Sequence, residues 1–285
     1  MLEVKNLRVH FLNAAPDRFA VDGASFTVGN GEIVGLVGES GSGKSVTAMA
    51  ISGLLPRRKS EYTGEIWLDG VELLGMDREA MRKMQGDTIG VIFQEPMSAF
   101  DPIMTIGRQV EESLLVHHPE MSAGARRSAA LTALADAELD EPEIVYEKYP
   151  HELSGGMLQR AMIAAAVIHS PKLLLADEPT TALDVTIQGQ ILDLLKKINK
   201  TKGTSILFIS HNMSVIRKLS ERVLVMHWGK IVEEGSVEEV FLRPKDPYTQ
   251  KLTASIPARD RHLTRLKTRP ANPQDGRRMP APGQT

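Results

Sequence analysis

The chain has 285 residues, 42% apolar and 25% charged, which is the composition of a soluble globular protein with room for one large domain or two modest ones. A net charge of −2 argues against a nucleic-acid binder held by bulk electrostatics, and the absence of cysteine excludes disulfides, thiolate zinc sites and cysteine-ligated iron–sulfur clusters. The opening MLEVKNLRVHFLN has no basic end and apolar core of a signal peptide, and the most apolar long stretch, residues 161–176, is interrupted by His169, Ser170, Pro171 and Lys172, so any membrane role must come through a partner.

In chain order, residues 2–9 alternate apolar and polar side chains as a half-buried strand does. A turn-rich insertion, residues 13–18, leads to a second strand-like run at 20–28. Asn30-Gly31 then predicts a hairpin turn into the apolar run 33–37, an antiparallel edge feeding a parallel core. That run enters Gly38-Glu39-Ser40-Gly41-Ser42-Gly43-Lys44-Ser45, and helix-forming residues follow from Val46. Strand, glycine loop and helix in that order make a P-loop. Glycines 38, 41 and 43 let backbone N–H groups turn inward as an anion nest, and the helix adds its positive end. Lys44 can reach the outer phosphates of a nucleotide, and the Ser45 hydroxyl can ligate Mg²⁺. Phe11, at the end of the first strand, offers a face that can stack on an adenine; a core role for it and a competing role for Phe19 stay open.

Residues 63–73 read as another alternating hairpin segment, and 89–93 as a strand buried on both faces. Gln94 follows it, placed at a strand's carboxyl end to touch Mg²⁺ or an attacking water. From 105 to 149 the texture turns to alanine, glutamate and arginine, most helical at 123–139, which predicts a helical insertion spanning about 95–160. Sheet texture returns at 172–176, ahead of Asp177-Glu178-Pro179. The strand 205–209 ends in Ser210-His211, and 223–226 with 229–235 form a last hairpin-like pair. Residues 258–285 are rich in Pro and Arg; seven Lys/Arg against two Asp from 259 onward predict a disordered, solvated tail, with contact to a membrane surface or a partner as the alternative.

Beside a P-loop, Asp177 is suited to hold Mg²⁺ through water and Glu178 to activate the nucleophilic water, whereas the same pair elsewhere is often only a helix start. Ser154-Gly155-Gly156 opens a helix over 157–168, a second anion site by its physics. Two phosphate sites for one nucleotide are reconciled if the second completes a pocket on another subunit.

With these motifs the sequence resembles the nucleotide-binding subunits of ATP-binding cassette transporters over residues 1–256: Walker A at 38–45, the Q-loop Gln94, the signature Leu153-Ser154-Gly155-Gly156, Walker B at 173–177, the catalytic Glu178, the D-loop Ala182-Leu183-Asp184 and the switch histidine His211. The resemblance implies an α/β fold of the P-loop NTPase (RecA-like) type: a mixed-sheet core with an antiparallel β subdomain and an inserted α-helical subdomain. It implies ATP and Mg²⁺, with Lys44, Gln94, Glu178 and His211 in catalysis and Ser45, Gln94 and Asp177 at the metal. The nucleotide would contact residues 38–46 with Phe11, and across a head-to-tail dimer Ser154, Gly155, Gly156 and Asp184. Gln94 to Pro102, residues 157–160 and Pro247-Tyr248-Thr249-Gln250 look like the oligopeptide/dipeptide/nickel importer group, which commonly shares Met157 where the wider family favours glutamine. Many peptide-importer ATPases carry a cysteine cluster near the C-terminus; without it a nickel, metal-chelate or opine-type cargo stays open beside peptides. Implied partners are a second ATPase subunit, a paralogue or the same chain, two transmembrane permease subunits and, indirectly, a solute-binding protein, with no nucleic acid. The chain would sit peripherally on the cytoplasmic face of the inner membrane. A non-transport cassette ATPase is the rival, but it usually carries tandem cassettes or coiled-coil arms.

Overall fold

The computed structural model describes residues 1–15 and 17–255, so the expected tail lies outside the described residues. The chain forms strands β1 (Leu2–Phe11), β2 (Phe19–Val28) and β3 (Ile33–Val37), then helix α1 (Lys44–Ile51), strands β4 (Ser60–Leu68) and β5 (Val71–Glu72), helix α2 (Arg78–Met84) and strand β6 (Ile89–Ile92). Six helices follow: α3 (Pro96–Ala99), α4 (Ile106–Val110), α5 (Glu112–His117), α6 (Ala123–Asp136), α7 (Pro142–Glu147) and α8 (Gly155–Val167). The remainder alternates again: β7 (Leu173–Asp177), α9 (Val185–Lys202), β8 (Ser205–Ser210), α10 (Met213–Leu219), β9 (Arg222–His227), β10 (Lys230–Ser236), α11 (Val237–Leu242) and α12 (Pro247–Ala254).

Two sheets result. One is antiparallel, in the order β2-β1-β4-β5; the other runs β10-β9-β3-β8-β7-β6, parallel throughout except for β10 at one edge. Period-two alternation in the central strands decides which layer each side chain serves. Val34 and Leu36 of β3, Leu173 and Leu175 of β7, and Leu207 and Ile209 of β8 enter a core shared with the antiparallel sheet and α1. Their neighbours Ile33, Val37, Leu174, Ala176, Ile206 and Phe208 enter a second core against α8, α9 and α10. Strands covered on both faces read as unbroken apolar runs, which is why these were legible.

The Asn30-Gly31 hairpin is corrected. A turn is present and Gly31 takes φ +66°, but β2 pairs with β1 in one sheet while β3 pairs with β8 and β9 in the other, so the turn carries the chain between layers. The buried strand after it also stops short: β6 ends at Ile92, and Phe93 is 42% exposed. Helix α6 ends at Asp136, and α8 begins two residues earlier than expected because Ser154 caps it by accepting from Met157 N.

An ion-paired knot secures the two sheets to each other. Arg222 at the start of β9 donates from Nε and Nη2 to the Glu32 carboxylate at 2.7 and 2.8 Å, and from Nη2 to the Thr27 carbonyl at the end of β2 at 2.7 Å. Nη1 also pairs with Glu234. Both Arg222 and Glu32 side chains are about four-fifths covered, and Glu32 accepts the Gly29 N–H as well. The guanidinium hydrogen bond holds the Glu32 carboxyl below its usual range, ahead of the opposing effect of burial. A lowered folded pKa means that this contribution is complete above the ordinary carboxylate range and is lost as pH falls through the folded value. Arg222→Ala should therefore lower stability by roughly 1–3 kcal/mol in urea denaturation at neutral pH. The difference from wild type should narrow near pH 3; a deficit that persists undiminished there would mean that packing, not the pair, sets it.

Candidate active site

Strand β3 delivers the chain into the loop 38–43, whose glycines are required by their neighbours. A Cβ on Gly38 would lie 2.1 Å from the Met226 carbonyl oxygen, and one on Gly43, at φ +107°, 2.4 Å from that of Ala20. Helix α1 then starts at Lys44, with no side chain capping its first N–H groups, so those donors face the loop. Lys44 is buried, its Nζ donating to the Gly38 and Glu39 carbonyls at 2.9 Å each. Burial pushes the Lys44 ammonium below its usual range, while Glu178 and Asp177 pull it back.

The carboxyl ends of the neighbouring parallel strands bring in the acids. Asp177 closes β7 and accepts the Ser45 hydroxyl at 3.0 Å; burial raises its carboxyl above the usual range, and the Ser45 bond opposes that. Glu178 takes φ +48°, a left-handed conformation unfavourable without glycine, held by its N–H on the Ile209 carbonyl of β8 at 3.0 Å and followed by Pro179. Its Oε2 is a hub: Thr181 Oγ1 and His211 Nδ1 lie at 2.9 Å and Gln94 Nε2 at 3.4 Å. A carboxylate only accepts, so Nδ1 of His211 carries the proton in that contact. Thr181 was not singled out from sequence; the signal available was its place three residues after Glu178, where a turn folds back onto the acid.

Lys44, Ser45, Val46, Gln94, Glu178 and His211 line one cleft of about 540 Å³, together with Glu39, Ser40, Gly41 and Gly43. Gly38 and Ser42 lie beneath, Ser42 being buried. A second cleft of about 320 Å³ adjoins it through Ala20 and Gly41. Phe11, Phe19 and Trp228 all line this second cleft. Phe19 already lies against the His10 ring and the Arg8 guanidinium, 5.7 Å from each, whereas Trp228 is 72% exposed. Sequence reading overlooked Trp228; its signal was a large aromatic in the turn before Gly229.

The donor set at Ser45, Gln94 and Asp177 consists of hard oxygens, with Asp177 and Ser45 already joined at 3.0 Å. This fits Mg²⁺.

Two residues of α12 also reach the loop. The Tyr248 hydroxyl accepts the Glu39 N–H at 2.8 Å, its ring stacks on His227 at 3.7 Å and 7°, and Leu252 lines the larger cleft. Tyr248 thus fixes one peptide of the phosphate loop from the far end of the chain. Tyr248→Phe keeps the stack and removes the acceptor, so the KM for nucleotide should rise about fivefold, the effect of roughly 1 kcal/mol, with little change in kcat. A kcat loss at unchanged KM would put Tyr248 elsewhere in the cycle.

Ser154, Gly155, Gly156 and Asp184 do not line this cleft. Ser154 and Gly155 are exposed at the start of α8, and Gly156 sits against Ile187, where a Cβ would meet Cγ2 at 2.9 Å. Asp184 caps α9, accepting from Thr186 N and Ile187 N at 3.0 and 2.9 Å. The two helix starts therefore abut each other, and neither lines the cleft that holds Lys44.

The chain is similar to known proteins in sequence and fold. The family described as ABC transporter matches residues 21–181, and that described as Oligopeptide/dipeptide transporter, C-terminal region, matches 232–283. The chain is 45% identical over 262 residues to the probable peptide ABC transporter ATP-binding protein y4tR of Sinorhizobium fredii, spanning 92% of this chain and 78% of that protein. It is 42% identical over 275 residues to the dipeptide transport ATP-binding protein DppD of Lactococcus lactis subsp. cremoris, spanning 96% and 79%. Among solved structures, the dimeric post-hydrolysis state of the ATP-binding cassette MJ0796 bound to ADP and Pi is 32% identical with a TM-score of 0.74, covering 83% of this chain and 99% of that one.

Proposed function

The chain belongs to the ABC transporter family, as the ATP-hydrolysing subunit of an importer, and on that premise we propose how its residues work and what it serves. The observation that carries the reading is geometric: the P-loop, Glu178 and His211 share one cleft, while Ser154-Gly155-Gly156, a helix start with open N–H groups, lies outside it. ATP seated on the loop would be closed over by the Ser154–Gly156 segment of a second subunit in a head-to-tail dimer. Lys44 then leaves the loop carbonyls for the phosphates and offsets the charge that develops on them. Glu178 orients and deprotonates the attacking water, and His211, bonded to Glu178 through Nδ1, turns toward the terminal phosphate and links its presence to the acid. Ser45, Gln94 and Asp177 would hold Mg²⁺, which when bound would neutralise phosphate charge. Phe11 or the exposed Trp228 supplies the stacking face for adenine.

The cargo is a peptide or similar small solute, supported by the match of residues 232–283 to the oligopeptide/dipeptide transporter C-terminal region and by the names of its relatives. No helix among the described residues is long and apolar enough to cross a membrane. Relatives named as ATP-binding proteins of peptide transporters support a transport path carried by separate permease subunits. An apolar cleft of about 310 Å³, between the end of β6 and the helical insertion, supports docking of their cytoplasmic segments: it presents Leu54, Phe93, Phe100 and Met162 beside Gln109 and Glu112. The second ATPase subunit is a paralogue, with the same chain as the alternative, and the assembly sits on the cytoplasmic face of the membrane. Affinity purification of the chain from detergent-solubilised membranes of its own cells should recover two polytopic proteins and a second cassette protein. Recovery without any polytopic partner overturns the transport reading, and loss of metal-chelate rather than dipeptide uptake on deleting the gene overturns the peptide cargo.

A further inference from the structure

Away from the nucleotide cleft, three histidines and an aspartate meet where the helical insertion touches the edge of the parallel sheet. His118 follows α5, His169 follows α8, and Asp87 lies in the turn between α2 and β6. One ligand atom from each of Asp87, His118 and His169 falls within 4.8 Å of the other two. His169 is buried, with 3% of its side chain exposed, and its Nδ1 is 3.9 Å from Asp87 Oδ1, too far for a hydrogen bond. Ligands of a tetrahedral zinc-type ion stand about 3.4 Å apart, given bonds of about 2.1 Å, so small side-chain rotations close the gap.

The outer contacts are arranged as a metal site requires. The remaining nitrogen of His169, Nε2, is 3.2 Å from the Ser113 hydroxyl, and Nδ1 of His118 is 3.3 Å from Glu120 Oε1. Asp87 Oδ2 accepts the Thr88 hydroxyl at 3.0 Å. Each ligand thus has one polar atom engaged from outside and one left for the interior, the pattern of carboxylate- and hydroxyl-oriented histidine ligands. The His118 and His169 rings also stack at 5.4 Å and 28°, and His117 meets His169 edge-on at 5.3 Å. The third histidine, His117, is committed to the Gln85 carbonyl at 2.8 Å and steadies α5 against the same turn.

We propose that Asp87, His118 and His169 form a site for a borderline divalent cation of the zinc, nickel or cobalt class, bound by two nitrogens and one carboxylate oxygen with water in the fourth position. Imidazole pairs select such ions over Mg²⁺ and Ca²⁺, which prefer all-oxygen shells. The ligands come from both sides of the junction, so a bound cation ties α5 to the turns before β6 and after α8. Gln85 and Gly86, beside Asp87, and Glu112 of α5 line the 310 Å³ cleft assigned above to the permease, so the ion would hold the walls of that cleft at one spacing.

The test uses the full-length chain, stripped with a chelator and free of nucleotide. Titration with Zn²⁺ should give one saturable equivalent in calorimetry and a rise in Tm, and Co²⁺ should give the intense visible bands of tetrahedral coordination. His118→Ala and Asp87→Asn, both at partly exposed positions that tolerate change, should weaken that equivalent at least 100-fold and abolish the Tm rise. Glu120→Gln should weaken it about 10–100-fold. His151→Ala, on an exposed histidine outside the cluster, should leave it unchanged, and millimolar Mg²⁺ should not compete. An equivalent of equal affinity in His118→Ala and Asp87→Asn, an octahedral Co²⁺ spectrum, or no binding at all each overturns the site.

Discussion

Replacing Glu178 by Gln should cut steady-state ATP hydrolysis by about 10²- to 10⁴-fold, the range for loss of a positioned general base, while leaving nucleotide affinity at or above that of wild type. The substitution is nearly isosteric, so the left-handed backbone at Glu178 and its N–H bond to Ile209 persist. An amide oxygen still accepts from Thr181 or His211, so the fold should lose little. What disappears is a negative charge beside the phosphates. Asp177 and Glu178 both act electrostatically on Lys44, so both also repel a bound polyphosphate; removing one relieves part of that repulsion. Binding without turnover should accumulate ATP-closed dimers, visible as a shift to the dimer in size-exclusion chromatography with ATP. Near-normal hydrolysis by the variant would remove Glu178 from the catalytic role.

How much of this site the sequence discloses depends on whether its residues are local or distant. The loop 38–45 and the Asp177-Glu178 pair are contiguous and preceded by apolar runs, so chain order alone places them at the ends of parallel strands. The strands themselves are legible because burial on both faces makes them unbroken runs, as in residues 173–176 and 206–209. The failed hairpin at Asn30-Gly31 has the opposite cause. Turn chemistry reports that the chain reverses, but whether the next strand pairs with the last or passes to another layer is decided by which face each buries, a long-range property. Tyr248 and Trp228 escaped assignment for the same reason: they are 209 residues from Glu39 and in an otherwise ordinary turn, respectively, and only folding brings them to the loop and the neighbouring cleft. Pairwise approach of Asp87, His118 and His169 is invisible in a chain where they are separated by helices.

The Gly155→Asp chain should fold at least as well as wild type, bind ATP on its own P-loop normally, and abolish hydrolysis at its partner's P-loop. A Cβ at Gly155 meets nothing closer than Leu183 Cδ2 at 4.0 Å, and its φ needs no glycine, so the substitution introduces no strain. Position 155 is the first residue of α8, where a carboxylate favours the helix dipole by about 0.3–1 kcal/mol, so Tm should hold or rise slightly. Gly156 would be a poorer probe, since its own contact with Ile187 at 2.9 Å would confound folding with function. In the closed dimer the new carboxylate would stand where the terminal phosphate of the partner's ATP has to lie. Two unit charges about 4 Å apart in a partly desolvated site repel by about 4 kcal/mol at an effective dielectric near 20, which is roughly a thousandfold in occupancy of the closed state. Stability and activity therefore move in opposite directions, and the loss appears in trans. The measurement pairs Gly155→Asp with a partner whose P-loop is intact and silences one site at a time with the glutamate-to-glutamine change, reading hydrolysis at each. Activity lost only at the mutant's own P-loop would mean that each subunit completes its own site, and the head-to-tail arrangement would fall.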